Sequence, residues 1–410
     1  MTLVDTERFE KTYEKYSEIG RTDRDGLHRL TLSETDAAVR DLFVADLEDL
    51  GLDIRIDEIG NIFGRRDGTK PNAAPVLIGS HLDSQPYGGR YDGQLGVLAA
   101  LETLRLFEDR DIDTSRPVEI VNWTNEEGSR FKPALMGSGV FTDKFETEEI
   151  LSNTDRDGIS VEAALQNIGY DGESPAKPME DIHAYLEVHI EQGPVLEQNE
   201  TNVGIVDGVF GMSWLEATIY GEADHAGPSP IHSRNDALVA AADAVTAIRR
   251  LSNRFSDDVV TTVGEFSVSP DSINVVPDEV TFSIDLRSYD DDTVARGVEH
   301  IEKELETVCE REGTEFELEE LWRIPHTEFS PTVCDIVTEA ATESDCSYQR
   351  IIGGAGHDAN YLNDITDAAL LFVPSVDGKT HNEAEFTEWE DILAGVDVFA
   401  RATNQLADQN

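Results

Sequence analysis

Short apolar runs alternate with amphipathic segments along the first two hundred residues. The run APVLIGSHLD (74–83) is apolar up to a polar end, the pattern of a strand buried on both faces. DGQLGVLAALETLRLFEDR (92–110) follows, with Leu95, Leu98, Leu101 and Leu104 at helical spacing. RPVEIVNWTNEEG (116–128) and AYLEVHIEQG (184–193) read as two further buried strands. Strands alternating with helices predict an α/β domain whose mostly parallel mixed sheet is flanked by helices. MTLVDTERFEKTYEKYSEIG (1–20) has the spacing of an amphipathic helix, unlike a signal peptide.

The texture changes between about 212 and 328. SWLEATIYGEADHAG (213–227), TTVGEFSVSP (261–270), VTFSIDLRSYD (280–290) and EFELEELWRI (315–324) alternate as half-exposed strands. SRNDALVAAADAVTAIRRLSNRF (233–255) and TVARGVEHIEKELETVCEREG (293–313) predict two long helices packed on one face. Beyond 330, PTVCDIVTEAATESD predicts a helix and AALLFVPSV a buried strand. The expected organisation is one catalytic α/β domain, 1–211 and 329–410, interrupted by an inserted α+β lid at 212–328.

Charge narrows the setting. The 410 residues include 84 acidic and 32 basic side chains, a net charge of −52, and only eight of the basic ones are lysines. Self-repulsion on that scale opposes a compact state. At molar salt the screening length falls to about 3 Å, and dispersed carboxylates cease to repel one another. The expectation is a halophile's cytoplasmic enzyme. Phosphates would be repelled, so nucleic acid is excluded as a partner. No apolar run approaches the ~20 residues of a membrane span. Three cysteines, Cys309, Cys334 and Cys346, form neither a disulfide framework nor a CxxC metal pattern. A metal site here would be built from histidine and carboxylate.

Such groups recur at the C-terminal ends of predicted strands, where open α/β sheets bind ligands. They are His81, Asp92, Glu127, His189 and His381. Two divalent ions sharing one carboxylate would use such a set. Asp92 also stands where it could cap the following helix. Asp83, two residues after His81, is placed to accept the free imidazole N–H. In Glu126-Glu127 one carboxylate can bind metal while its neighbour handles the proton of a water.

These stretches together resemble one family. GSHLDSQPYGGRYDGQLGVLAALE, NWTNEEGSRFKPALMGSGVF, HIEQGPVLE, DHAGPSPIHSRNDAL, GGAGHDA and VPSVDGKTHNEAE are similar, in order, to the hydantoinase/carbamoylase amidases of the dinuclear zinc aminoacylase/carboxypeptidase superfamily. The resemblance covers nearly the whole chain. It implies two divalent ions, zinc first, with manganese, cobalt or nickel as substitutes. It implies that Asp92 bridges them, that His81 and His189 bind one, and that Glu127 and His381 bind the other. Glu126 would be the general base and Asp83 an orienting partner.

The resemblance further implies that His225 reaches across a homodimer to polarise the scissile carbonyl. Asn274 and Arg287 would hold the substrate carboxylate, Gln192 would read the ureido group, and His357 would line the site. The implied substrate is a small ureido or carbamoyl acid, and the implied reaction is hydrolysis of N-carbamoyl-L-amino acids. Allantoate amidohydrolase and β-ureidopropionase are the near alternatives. A dipeptidase or aminoacylase, or a non-catalytic dimeric binding protein, lies further off. Gln85, after Ser84, places the chain nearer the carbamoylase and β-ureidopropionase branch.

Overall fold

The structure is a computed structural model that describes residues 3–255 and 259–409. The chain divides into two compact units, one of residues 1–207 and 328–410, the other of residues 208–327.

The first unit is built on a nine-stranded sheet. In chain order its strands are β1 (Asp53–Ile56), β2 (Ile62–Arg66), β3 (Val76–His81), β4 (Val118–Trp123), β5 (Ala184–Ile190), β6 (Val203–Val209), β7 (Thr327–Glu328), β8 (Tyr348–Gly353) and β9 (Ala368–Val373). Their spatial order is β1-β2-β4-β3-β5-β9-β6-β7, with β8 also pairing β6. The four middle strands, β4, β3, β5 and β9, run parallel. Antiparallel partners flank them, β2 on one side and β6 on the other. The parallel strands β3, β5 and β9 are buried at every position, which is why their sequences read as continuous apolar runs.

Helix Gln94–Asp109 lies over β3 and β5, and helix Trp389–Asp408 packs beside it. Close approach has a local cause at Gly96, where a Cβ would overlap the Ser80 side chain. The four parallel strands therefore deliver their C-terminal ends to one edge of the sheet. No helix among the described residues is long and apolar enough to cross a membrane.

The second unit is an antiparallel sheet with two helices. Phe266–Ser269, Glu279–Ser288, Gly211–Tyr220 and Glu315–Ile324 lie side by side, and Val260–Thr262 also pairs with Glu279–Ser288. Burial alternates along Glu279–Ser288, as a one-sided sheet requires. Its inner face joins both helices in one core that includes Leu215, Ile219, Ala240, Phe282, Ile301 and Leu305.

Several local expectations need correction. The helix expected over 233–255 spans only Ala237–Arg249, because the Asp236 carboxylate accepts from the N–H groups of Leu238 and Val239 and starts it there. The stretch 261–270 is two short strands, Val260–Thr262 and Phe266–Ser269, that pair different parts of one neighbour. The strand expected over 213–227 ends at Tyr220, and Asp224–His225 pairs separately with Val275–Val276.

Candidate metal centre

His81 is the last residue of β3, and His189 the penultimate residue of β5. Asp92 sits in the turn between β3 and helix Gln94–Asp109, and Glu126 and Glu127 follow β4. His381 lies beyond β9. The sheet order brings these segments together, and their ligand atoms form two triads. One is His81, Asp92 and His189; the other is Asp92, Glu127 and His381; within each, the atoms lie within 4.8 Å of one another.

Asp92 belongs to both triads through different oxygens. Its Oδ1 is 3.0 Å from His189 Nε2 and 3.5 Å from His81 Nε2. Its Oδ2 is 3.4 Å from His381 Nε2, which is in turn 3.5 Å from Glu127 Oε2. Asp92 does not cap the helix: the N-cap is Gly93, with no side-chain bond. His81, His189 and Asp92 are buried, and His381 is exposed.

Both buried imidazoles have their second nitrogen fixed. His189 Nδ1 is 3.0 Å from the Ile190 carbonyl. His81 Nδ1 is 2.9 Å from the main-chain carbonyl of Asp83, whereas the Asp83 carboxylate stands 3.8 Å away. The role expected of the Asp83 side chain is thus filled by its backbone. The carboxylate instead accepts from the N–H groups of Glu126 at 3.2 Å and Glu127 at 3.4 Å, because the strand-end curl turns it toward the β4 loop. Each Nδ1 facing a carbonyl sets the tautomer that leaves Nε2 as an electron-pair donor.

Electrostatics concentrates here. Burial works against the Asp92 charge, but His189, His381 and His81 hold its carboxyl well below the usual carboxylate range. Burial likewise opposes a charged His81, yet Glu126, Asp92 and Asp83 push its pKa well up. Burial raises Glu126 well above the ordinary range and lifts Glu127 to about 7, with Asp92 adding to the latter. Three imidazoles and two carboxylates, all but His381 shielded from water, are a donor set that suits borderline divalent cations, so the residues fit a dinuclear metal group.

The comparisons with known proteins agree on one family. Residues 77–405 match Peptidase family M20/M25/M40. The chain belongs to that family. It falls in the hydantoinase/carbamoylase amidase branch. The chain is 35% identical to the N-carbamoyl-L-amino-acid amidohydrolase of Paenarthrobacter aurescens, over 99% of this chain and all of that protein. It is 31% identical to the allantoate amidohydrolase of Escherichia coli K12, over 98% of each. A crystal structure of a hydantoinase/carbamoylase family amidase from Burkholderia multivorans matches with a TM-score of 0.91 and 40% identity, covering 99% of this chain and 98% of that one. M20 enzymes use a dinuclear metal site, and the two triads are this chain's candidate ligands for one.

The other expected site residues divide between the two units. Glu126 Oε2 stands 3.5 Å from His81 Nε2, beside the first triad. Gln192 Nε2 donates to Asp92 Oδ2 at 2.9 Å and to Thr380 Oγ1 at 3.1 Å, while its buried Oε1 has no hydrogen-bond partner. His357 is buried, with its ring centroid 4.5 Å from that of His189, and burial drives its pKa well down. His225, Asn274 and Arg287 belong to the second unit. The backbone pairs His225 with Val275, next to Asn274, and both side chains are exposed. Arg287 is engaged by Asp285, with Nη2 2.8 Å from Oδ2.

Two supporting residues are given no part in the metal centre by the sequence reading. Glu385 is buried and accepts from the N–H groups of Tyr91 at 3.0 Å and Asp92 at 3.2 Å, fixing the turn that carries the shared carboxylate. Gln85 binds the Glu127 carboxylate from the other side. In a chain with 84 acidic residues, a single glutamate four positions after His381 does not stand out.

Proposed function

We propose that this M20 amidase hydrolyses the ureido C–N bond of N-carbamoyl-L-amino acids, releasing the amino acid, ammonia and CO2. The observation that carries the reading is the arrangement of Asp92, which offers one oxygen to each triad, with Glu126 beside them. Full-length similarity to an enzyme named for that substrate class supports it.

His81 and His189 would hold one divalent ion and Glu127 and His381 the other, with Asp92 offering an oxygen to each. Such ions, zinc by preference, would supply a water of lowered pKa and a polarised carbonyl. Glu126 accepts the proton of the water that attacks the ureido carbon. It then returns that proton to the departing nitrogen as the C–N bond breaks and ammonia leaves. The carbamate left behind loses CO2 to give the free amine. Gln192 Oε1, which lacks a protein partner, accepts from the ureido NH2, while Gln192 Nε2 stays on Asp92. His357 lines the site against His189.

The second unit acts as lid and dimerisation domain. His225, supplied across a homodimer, stabilises the developing oxyanion. Asn274 and Arg287 bind the substrate carboxylate, a task the planar guanidinium suits. Lid closure excludes water and brings these groups to the reacting centre. The enzyme works in the cytoplasm of a halophile: its three cysteines are free, and its charge of −52 calls for molar salt.

The test is ammonia release in about 3 M KCl with added zinc or manganese. N-carbamoyl-L-amino acids, N-carbamoyl-β-alanine and allantoate are compared side by side. The expected result is turnover of the first class, abolished by a chelator and restored by metal. Similarity to an allantoate amidohydrolase favours a second reading, and turnover of allantoate alone would move the enzyme there with the same residues in the same roles.

A further inference from the structure

The two triads are supported differently. In the first, backbone carbonyls orient both imidazoles. In the second, one side chain does much of the work. The main-chain N–H of Gln85 donates to Glu127 Oε1 at 2.9 Å, and its side-chain Nε2 donates to Glu127 Oε2 at 2.8 Å. The same Nε2 is 3.2 Å from the Glu127 carbonyl. Gln85 therefore grips both oxygens of one carboxylate and the backbone behind it.

Gln85 is itself anchored. Ser84 N–H donates to the Arg29 carbonyl at 2.9 Å, and Arg29 N–H donates to Ser84 Oγ at 3.0 Å. The fully buried Arg29 guanidinium also donates to the carbonyls of Leu82, Tyr16 and Ile19 and to Gln94 Oε1. The loop that presents Gln85 is thus tied to the fold on both sides of the chain. An amide donor at this point leaves each Glu127 oxygen a lone pair for a cation, and it fixes the carboxylate plane beside His381.

We propose that Gln85 is the positioning residue of the second metal subsite: it sets the affinity of the ion held by Glu127, His381 and Asp92 and leaves the ion of His81, His189 and Asp92 unaffected. This rests on the dinuclear reading given above. Gln85→Met keeps the side-chain length and the backbone N–H but removes the amide. Gln85→Glu puts lone pairs against lone pairs.

The experiment titrates chelator-stripped enzyme with Co(II) in about 3 M KCl, following ligand-field absorption, and counts bound zinc by elemental analysis. Wild type takes two ions. In Gln85→Met the second ion binds about 10–100-fold more weakly, the absorption of the first is unchanged, and Gln85→Glu is affected at least as much. Thermal melts of the stripped proteins check folding; Gln85→Asn, a shortened amide, replaces either variant that does not fold and is expected to weaken the same ion. Second-ion affinities within about twofold of wild type in the folded variants would overturn the role of Gln85. A wild-type enzyme that never takes a second ion overturns the dinuclear reading itself, and this inference with it.

Discussion

The backbone of Gly93 lies directly against the imidazole of His81, so that a Cβ at Gly93 would overlap the ring at Cε1, Nε2 and Nδ1. Gly93 also has φ +64°, and its N–H is 3.1 Å from His189 Nε2. One residue thus packs on one metal-facing histidine and touches the other, in a conformation that favours glycine. Gly93→Ala is expected to displace His81 and weaken metal binding by more than about tenfold, with about 1 kcal/mol of backbone strain. Competition with a chromophoric chelator measures it, and wild-type metal affinity would show that the contact does not set the His81 position.

Glu126 and Glu127 are adjacent but differently placed. Glu127 is bound at both oxygens by Gln85 and lies 3.5 Å from His381, whereas Glu126 points toward His81. Glu126→Gln keeps the shape and removes the basic oxygen. It should retain both ions and lose about 10²–10⁴-fold in kcat. Metal content and steady-state turnover on the same preparation separate the two effects. Substantial residual kcat with full metal content would assign the proton transfer elsewhere.

The segments that carry the candidate ligands are legible in the sequence because parallel strands write themselves plainly. β3, β5 and β9 are buried throughout and mostly apolar, so a histidine at the end of such a run is conspicuous. The residues that orient the ligands are less legible. Which Asp83 oxygen faces His81 depends on how the chain curls after β3, and no spacing encodes that. Glu385 accepts from the Asp92 N–H, and Gln85 donates to Glu127 from its backbone and side chain, contacts the fold makes across 293 and 42 positions of chain. The short antiparallel strands β1 and β2, only four and five residues long, lack the apolar length that marked the parallel ones.

The net charge of −52 makes stability a question of salt. Many ion pairs are exposed, as in Lys11–Glu7 and Arg311–Glu312, and such pairs contribute little at any ionic strength. Relief of carboxylate repulsion therefore dominates. Raising KCl from about 0.1 to 3 M should lift Tm by more than about 10 °C, a change of several kcal/mol. Calorimetry of the metal-loaded enzyme measures this, and a Tm indifferent to KCl would remove the halophilic reading.

Asp36 and Arg40 are an ion pair of the opposite kind, buried on one helix turn of Glu34–Asp49. Asp36 Oδ2 accepts from Arg40 Nε at 2.7 Å and from the Leu32 N–H at 2.7 Å. Arg40 continues to the Gly60 carbonyl at 2.6 Å and to Thr124 Oγ1 at 3.1 Å, at the start of the loop that carries Glu126 and Glu127. Removing one partner strands a charge where water cannot reach it. Asp36→Ala should cost about 3–5 kcal/mol. The double variant Asp36→Leu, Arg40→Met leaves no buried charge and, beyond the Asp36 bonds that Asp36→Ala also loses, gives up two hydrogen bonds, from Arg40 to Gly60 and to Thr124, of about 1 kcal/mol each, so it should be more stable than Asp36→Ala alone. Urea unfolding of Asp36→Leu, Arg40→Met and the double in about 3 M KCl, beside Asp36→Ala, completes the cycle. If the double variant is as unstable as the two single losses added together, the side chains act independently and the stranded charge is not what Asp36→Ala exposes.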